Sequence, residues 1–321
     1  MRNGYDEKFL SEEIAVPIPK PSLEIDDDVL RGDDLSDEGV IDYIHYSVVM
    51  SKSNRQAFFS AANIDQSIYQ TVSGRNWFVD SRIGKEFQVG PEAYSRNEWD
   101  RGHLTRRTAV TWGSRYVAKR ASNDSCSYAN ASMQHENFNR DEWRVPEEVV
   151  RHFGRDKNDK LCVFTGPIFT QTDRWYTRRS LDEKVRIPSG FWKVIAYIGK
   201  DSGKLESQAY VMYQDAEFVK DRKGRNTIEE GNFQVTMTEV ERLTGLEFTE
   251  DLYNANPLYF HPRKNINDGP ERFKTPVGIS EEELKSGVIF SRSEAEKKEF
   301  VERKRVVSEL GFEELAALMD F

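Results

Sequence analysis

One of the five histidines closes a tetrapeptide whose side chains belong together chemically, Asp100-Arg101-Gly102-His103. A neutral imidazole titrates close to neutrality and can take a proton from water. Arg101 beside it offers a planar, permanently charged fork that matches phosphate oxygens, and Gly102 between them lets the backbone turn tightly. Such a quartet suits a phosphodiester. Thirty-six residues after His103 stands Asn139, whose amide oxygen is a hard, neutral ligand that can hold Mg²⁺ while leaving most of its shell to water. Glu147 follows eight residues later and Arg151 four beyond that. On a helix the last two share a face, so Glu147 either makes an ordinary ion pair with Arg151 or reaches a water in the shell of a nearby cation. His45, His135, His152 and His261 have no second His, Cys or carboxylate at metal-ligand spacing and read as structural or surface residues.

The elements that must position these groups are written in the hydropathy pattern. IDYIHYSVVMS (41–51) and QAFFSAANI (56–64) are β-branched and aromatic runs around the polar SKSNR; they predict a hairpin, with His45 in a strand. Residues 65–102 have glycines, Pro91 and little periodicity, the marks of a long irregular connection of the kind that carries function. A helix is expected over about 141–153, kinked or restarted at Pro146, since a proline is tolerated in a first turn, where a missing N–H costs nothing. The runs at 160–169, 190–199 and 206–214 read as strands, the last two joined by the DSGK turn. NFQVTMTEVERLTGLEF (232–248) carries a helix ended by Gly245. Strands and helices mix without a βαβ rhythm, which predicts an α+β fold with a mainly antiparallel sheet.

Composition narrows the classes further. At 321 residues and 37.3 kDa the chain can bury a full core. It has no uninterrupted apolar run of membrane-spanning length and no apolar segment near its start, which predicts a cytoplasmic protein without a membrane partner. Cys126 and Cys162 lack a CxxC arrangement and cannot build a zinc cage or a disulfide framework. The net charge of −9 is concentrated in residues 1–42, which contain 13 acidic and four basic residues. That stretch reads as a solvated, disordered acidic leader. Between 95 and 186 the balance reverses, with 18 Lys and Arg against 13 Asp and Glu. The expected organisation is therefore a leader (1–42), a main domain (43–256) and an appended loop with charged helices (257–321). Those last helices suit either a solvated surface or a partner or self-association contact.

Taken together, the motifs resemble the DNA/RNA non-specific endonucleases of the ββα-metal, or His-Me finger, class. The resemblance covers about 43–256 and is carried by DRGH at 100–103, the pair Asn130 and Asn139 with eight residues between them, Trp143, and Glu147. FFSAANID (58–65), RNWFVDSRI (75–83), Tyr94, TGP (165–167), FWKV (191–194) and TGLEF (244–248) look like its bacterial branch. The family pattern implies that His103 is the general base and that Asn139 is the one direct protein ligand of Mg²⁺ or Mn²⁺. Glu147 would position a water of the metal's shell, and Arg75, Arg101 and Arg151 would bind phosphate. Asp100, Gly102 and Asn130 would support them. The sequence departs from the pattern at Met133, where Pro often precedes the Gln, and at Val145-Pro146, where Leu usually precedes the Glu.

The resemblance implies cleavage of DNA, RNA or both with little sequence specificity, leaving 5′-phosphates, and activity that falls with salt. It also implies a homodimer as a common state. A catalytically idle nucleic-acid binding or partner-regulated module is the alternative. A promiscuous nuclease endangers its own cell, so it is expected either to be exported by a route that leaves no N-terminal signal, as toxin effectors are, or to be held inactive by an inhibitor or until an activator triggers it, as in a phage-defence system. The acidic leader is a candidate restraint, competing with nucleic acid for a basic groove.

Overall fold

The computed structural model describes residues 2–33, 35–74, 76–136, 160–200, 202–214, 218–220, 226–228 and 232–256. In chain order its strands are β1 (Lys20–Pro21), β2 (Val40–Asp42), β3 (Tyr46–Met50), β4 (Ala57–Asp65), β5 (Trp99–His103), β6 (Ala131–His135), β7 (Lys160–Ile168), β8 (Trp175–Tyr176), β9 (Val185–Arg186), β10 (Gly190–Ile198), β11 (Leu205–Tyr213), β12 (Phe218–Lys220), β13 (Asn226–Ile228), β14 (Asn232–Val235) and β15 (Leu246–Glu247). The described α-helices are α1 (Arg115–Asp124), α2 (Met237–Thr244) and α3 (Glu250–Ala255).

Seven strands form one antiparallel sheet in the order β14-β11-β10-β7-β4-β3-β2. The two hairpins expected from sequence are there, β3 with β4 and β10 with β11. The expected α+β class with an antiparallel sheet is met. The central strands are buried on both faces, and their side chains divide by the two-residue period of a strand. Ala62, Ile64, Leu161, Val163, Phe191 and Ile195 belong to one core cluster. Phe59, Ala61, Cys162, Phe164, Trp192 and Val194 belong to another. The first face receives Leu104, Val110, Ala121 and Ala129, which come from the segments around β5 and α1. The second is covered by Met237 and Val240 of α2 and Leu252 and Tyr253 of α3. Helix α2 begins where the Thr236 hydroxyl accepts the Glu239 N–H at 3.1 Å, and it ends at Gly245 in the left-handed region, φ 71°. No helix among the described residues is long and apolar enough to cross a membrane.

The acidic leader is not a loose arm. Val16 and Val29 are buried in the second cluster with Tyr5, Phe9, Leu10, Ile18 and Ile25 packed against it. Leu30 and Ile41 join the first. Strand β1 pairs with β15, β2 forms an edge of the main sheet, and Arg2 makes a two-pronged contact with Asp124 at 3.0 and 2.9 Å. The carboxylates that made this stretch look unfoldable stay outside or serve local bonds: Asp28 accepts from Ser51, Ser53 and the Ser53 N–H, and Asp26 pairs with Arg31. Charge counting missed the apolar residues spaced between them. A segment packed in this way is not a mobile competitor for a groove. His45 also differs from expectation. It lies just before β3 rather than in a strand, with φ 70° and its ring stacked on Trp112 at 3.4 Å.

Candidate active site

The quartet Asp100-Arg101-Gly102-His103 occupies strand β5, which pairs antiparallel with β6 from Trp99↔His135 to His103↔Ala131. Alternation along a strand therefore puts Arg101 and His103 on one face and Asp100 and Gly102 on the other. Gly102 is needed for a different reason from the tight turn expected of it. It sits in regular strand pairing opposite Ser132, and a Cβ there would run into the side chain of buried Gln134. Close approach, not backbone freedom, demands the glycine.

On the other face, Trp77 packs against both functional side chains. Its ring centroid lies 4.7 Å from that of His103, and the Arg101 guanidinium stands 5.1 Å over it. Tyr128 backs Trp77 at 5.4 Å, and Tyr94 stacks on Tyr128 at 5.9 Å. Burial pushes the Tyr94 hydroxyl well above its ordinary range, with Tyr128 adding to the effect and the positive charge of Arg101 opposing it. Tyr94 is thus a neutral wall of the site. The loop bearing Trp77 is held on both sides. The Phe78 N–H donates to the Cys126 carbonyl at 3.1 Å, and the Phe78 carbonyl accepts the Tyr128 N–H at 3.0 Å. Farther on, Asp80 accepts from Arg82 at 2.7 Å and from the Tyr43 hydroxyl at 2.6 Å. Burial alone would raise that carboxyl, but the bonds from Arg82 and Tyr43 outweigh it and hold Asp80 below the usual carboxylate range.

Three fully buried amides hold the β5–β6 ribbon, Gln56 and Gln214 from beside main-sheet strands and Asn130 from the segment that leads into β6. The Gln56 carbonyl oxygen accepts the Ser132 hydroxyl at 2.6 Å and the Met133 N–H at 3.0 Å. Gln214 accepts the His135 N–H at 3.1 Å and donates to the Met133 and Pro188 carbonyls at 3.0 and 2.7 Å. Asn130 accepts the Thr105 N–H at 2.8 Å and donates to the Thr105 and Ser125 carbonyls at 2.8 and 2.9 Å. The departure at Met133 is now intelligible, since a proline there would have no N–H for Gln56. Beneath them runs a polar row in register across the sheet: Ser60 opposite Thr165, and Thr165 opposite Lys193. Ser60 bonds Thr105 directly, and Lys193, only 3% exposed, donates to Thr165 at 3.2 Å.

The structure thus brings together His103, Arg101, Gly102, Asp100 and Asn130. Arg75, Asn139, Glu147 and Arg151 lie outside the described residues, as do the helix expected over 141–153, His152, His261 and residues 257–321. His135 packs edge-on to Trp99, and burial lowers its imidazole; it fits the structural role expected of it. Sequence reading missed Trp77, Gln56 and Gln214 as positioning residues, and α1 as an element. Trp77 stood inside a quoted motif, whereas the two glutamines have no local signature at all. Among the described residues no three His, Cys, Asp or Glu side chains gather as a metal cage.

A sequence profile described as DNA/RNA non-specific endonuclease matches residues 31–255 of this chain. The chain belongs to that family. The matched region begins inside the acidic leader, in keeping with the packing of that segment. The uncharacterized protein y4fB of Sinorhizobium fredii (strain NBRC 101917 / NGR234) is 33% identical over 283 residues, covering 79% of this chain and 40% of its own length. The chain therefore spans about two fifths of that relative. Nuclease C1 of Cunninghamella echinulata var. echinulata is 31% identical over 218 residues, 64% of this chain and 81% of that protein. In fold, the chain is similar to a chain of the EndoG/EndoGI complex, with a TM-score of 0.53 at 20% identity over 68% of this chain and 89% of that one.

Proposed function

We propose that this member of the DNA/RNA non-specific endonuclease family is a metal-dependent endonuclease that hydrolyses phosphodiester bonds of DNA, RNA or both with little sequence preference. The observation that carries the reading is the shared face of β5, where Arg101 and His103 stand side by side against Trp77. In this mechanism His103 takes the proton of a water that attacks phosphorus in line, the P–O3′ bond breaks, and the leaving 3′-oxygen takes up a proton from solvent. Trp77 limits where the imidazole can swing, and Asn130 and the two glutamines fix the strand that bears it. Arg101 meets the charge that grows on the phosphate oxygens, joined by Arg75 and Arg151. A hard cation would take its one protein ligand from Asn139, a neutral amide oxygen, with the Glu147 carboxylate serving its outer shell. When bound, Mg²⁺ or Mn²⁺ supplies positive charge to the transition state. The products would be a 5′-phosphate and a 3′-hydroxyl. A homodimer and a protein inhibitor or activator are part of the same proposal.

Digestion of supercoiled plasmid and total RNA with Mg²⁺, Mn²⁺ or EDTA tests it. Cleavage is expected with metal and none with EDTA. His103→Ala should lower the rate by about 10²–10⁴-fold, and Asn139→Ala should abolish the metal response. Binding of nucleic acid by wild type without cleavage under any divalent metal would overturn the enzyme reading in favour of an idle binding module.

A further inference from the structure

The chain carries a net charge of −9, yet residues 101–120 hold six Lys and Arg and no Asp or Glu. Three of the six fall on α1, where Arg115, Tyr116, Lys119 and Arg120 are exposed while Ala118, Ala121 and Ser122 are buried. Arg115 with Lys119 and Tyr116 with Arg120 are i,i+4 neighbours, so the four form one continuous patch. Tyr116 is 70% exposed, and the Arg120 guanidinium lies 5.6 Å from its ring centroid. The next acid along the chain, Asp124, is turned inward onto Arg2.

This patch is tethered to the segment that precedes Trp77. Lys119 donates to the Ser73 carbonyl, and Arg107 donates to the Val72 carbonyl at 3.0 Å and to Ser122 of α1 at 3.3 Å. The loop they hold leads in four residues from Ser73 to Trp77, the residue packed on His103. Four residues of chain reach at most about 14 Å, a span of roughly four nucleotide steps at about 3.4 Å each.

We propose that the exposed face of α1 is a docking surface for the substrate strand running away from the cleaved phosphate, with Arg115 and Arg120 on backbone phosphates and an unpaired base stacked on Tyr116. The inference rests on the nuclease reading above and adds to it a preference for long, single-stranded substrate. A lone cation on a helix is commonplace. Here an acid-free basic face, an exposed aromatic ring beside a guanidinium, and a direct tether to the site loop combine the two features that recognise a single strand, a charged track and a stacking platform.

The test compares wild type with Arg115→Ala/Arg120→Ala and with Tyr116→Ala on a long single-stranded oligonucleotide, a duplex of equal length and a dinucleotide, whose single phosphodiester leaves no strand to reach α1. Lys119 and Arg107 are left intact because they hold the loop. For the double variant KM on the long strand should rise about tenfold with kcat unchanged, and the slope of log affinity against log salt should shrink by roughly one to two. Tyr116→Ala should weaken the long strand about five- to tenfold, within the range of one lost stacking contact, and leave the duplex alone. Dinucleotide cleavage should not change. Unaltered KM and salt slope in both variants, with wild type active, would overturn the proposal. If wild type cuts nothing, the nuclease reading fails by itself. Fluorescence anisotropy with the labelled long strand then decides the surface, a raised Kd in both variants supporting it and an unchanged Kd overturning it.

Discussion

The two faces of the seven-stranded sheet are built on different principles. On the far face, Phe59, Phe164, Trp192, Val194 and Val211 meet α2, α3 and the first thirty residues through apolar contacts, with Trp192 edge-on to Phe248 at 5.8 Å. On the site face the same strands carry Ser60, Thr165 and Lys193 in register. Apolar burial is strong but non-directional, so it can hold an α-helix anywhere along a stripe. Hydrogen bonds between buried amides fix a distance and an angle. Apolar burial therefore stabilises both faces, and only the near face adds the directional bonds that aim β5.

The largest expected effect separates those roles from the far side. Trp192→Ala should cost about 3–5 kcal/mol of unfolding free energy, read as a lower urea midpoint, while the cleavage rate per folded molecule in the cold stays close to wild type. A large rate loss in fully folded protein would break the division. On the near side, Gly102→Ala must displace Gln134 or the strand itself. It should lower the rate by about a hundredfold, as a misplacement of about 1 Å does, with a smaller change in unfolding midpoint. Gln214→Ala should leave the His135 N–H and two carbonyls without their partner. It should cost about 1–3 kcal/mol and slow cleavage as well, and Gln214→Glu should recover neither, because the carboxylate oxygen in place of Nε2 has no proton for the two carbonyls.

An effect confined to low pH lies at the seam, where Phe9 from the far-face segment and His45 both pack on Trp112. Burial pushes the His45 imidazole down from 6.5 to about 4. The unfolded chain takes up this proton as pH falls through 6.5, and the folded protein does so only near 4, so stability is expected to decline across that window and to be unaffected above it. Urea titrations at steps through the window check the sign. His45→Asn, which tolerates the left-handed backbone, should flatten the decline.

Much of the candidate site was legible as chemistry and little of it as geometry. DRGH could be singled out because a base, a cation and a glycine in four residues have a joint purpose. Its placement could not, since Trp-Asp-Arg-Gly-His has no alternation of apolar and polar residues. It becomes a strand only because β6, some thirty residues later, offers the matching ladder. Gln56 and Gln214 have nothing local to mark them, and their partners on β6 lie 76 to 81 residues distant. The acidic leader misled for the opposite reason. Its net charge is a sum, while its fold depends on a few apolar residues finding a surface that the sum does not contain.

By itself the amino-acid sequence determined the strands whose side chains alternate, the helix that stops at Gly245, and the chemical inventory at 100–103, because each rests on contacts between neighbours in the chain. Only the tertiary structure decided that Arg101 and His103 share a face against Trp77, that Gly102 makes room for Gln134, and that the leader closes the far core. Each of those depends on a surface supplied from far along the chain, and a residue's own type does not say which surface it will meet.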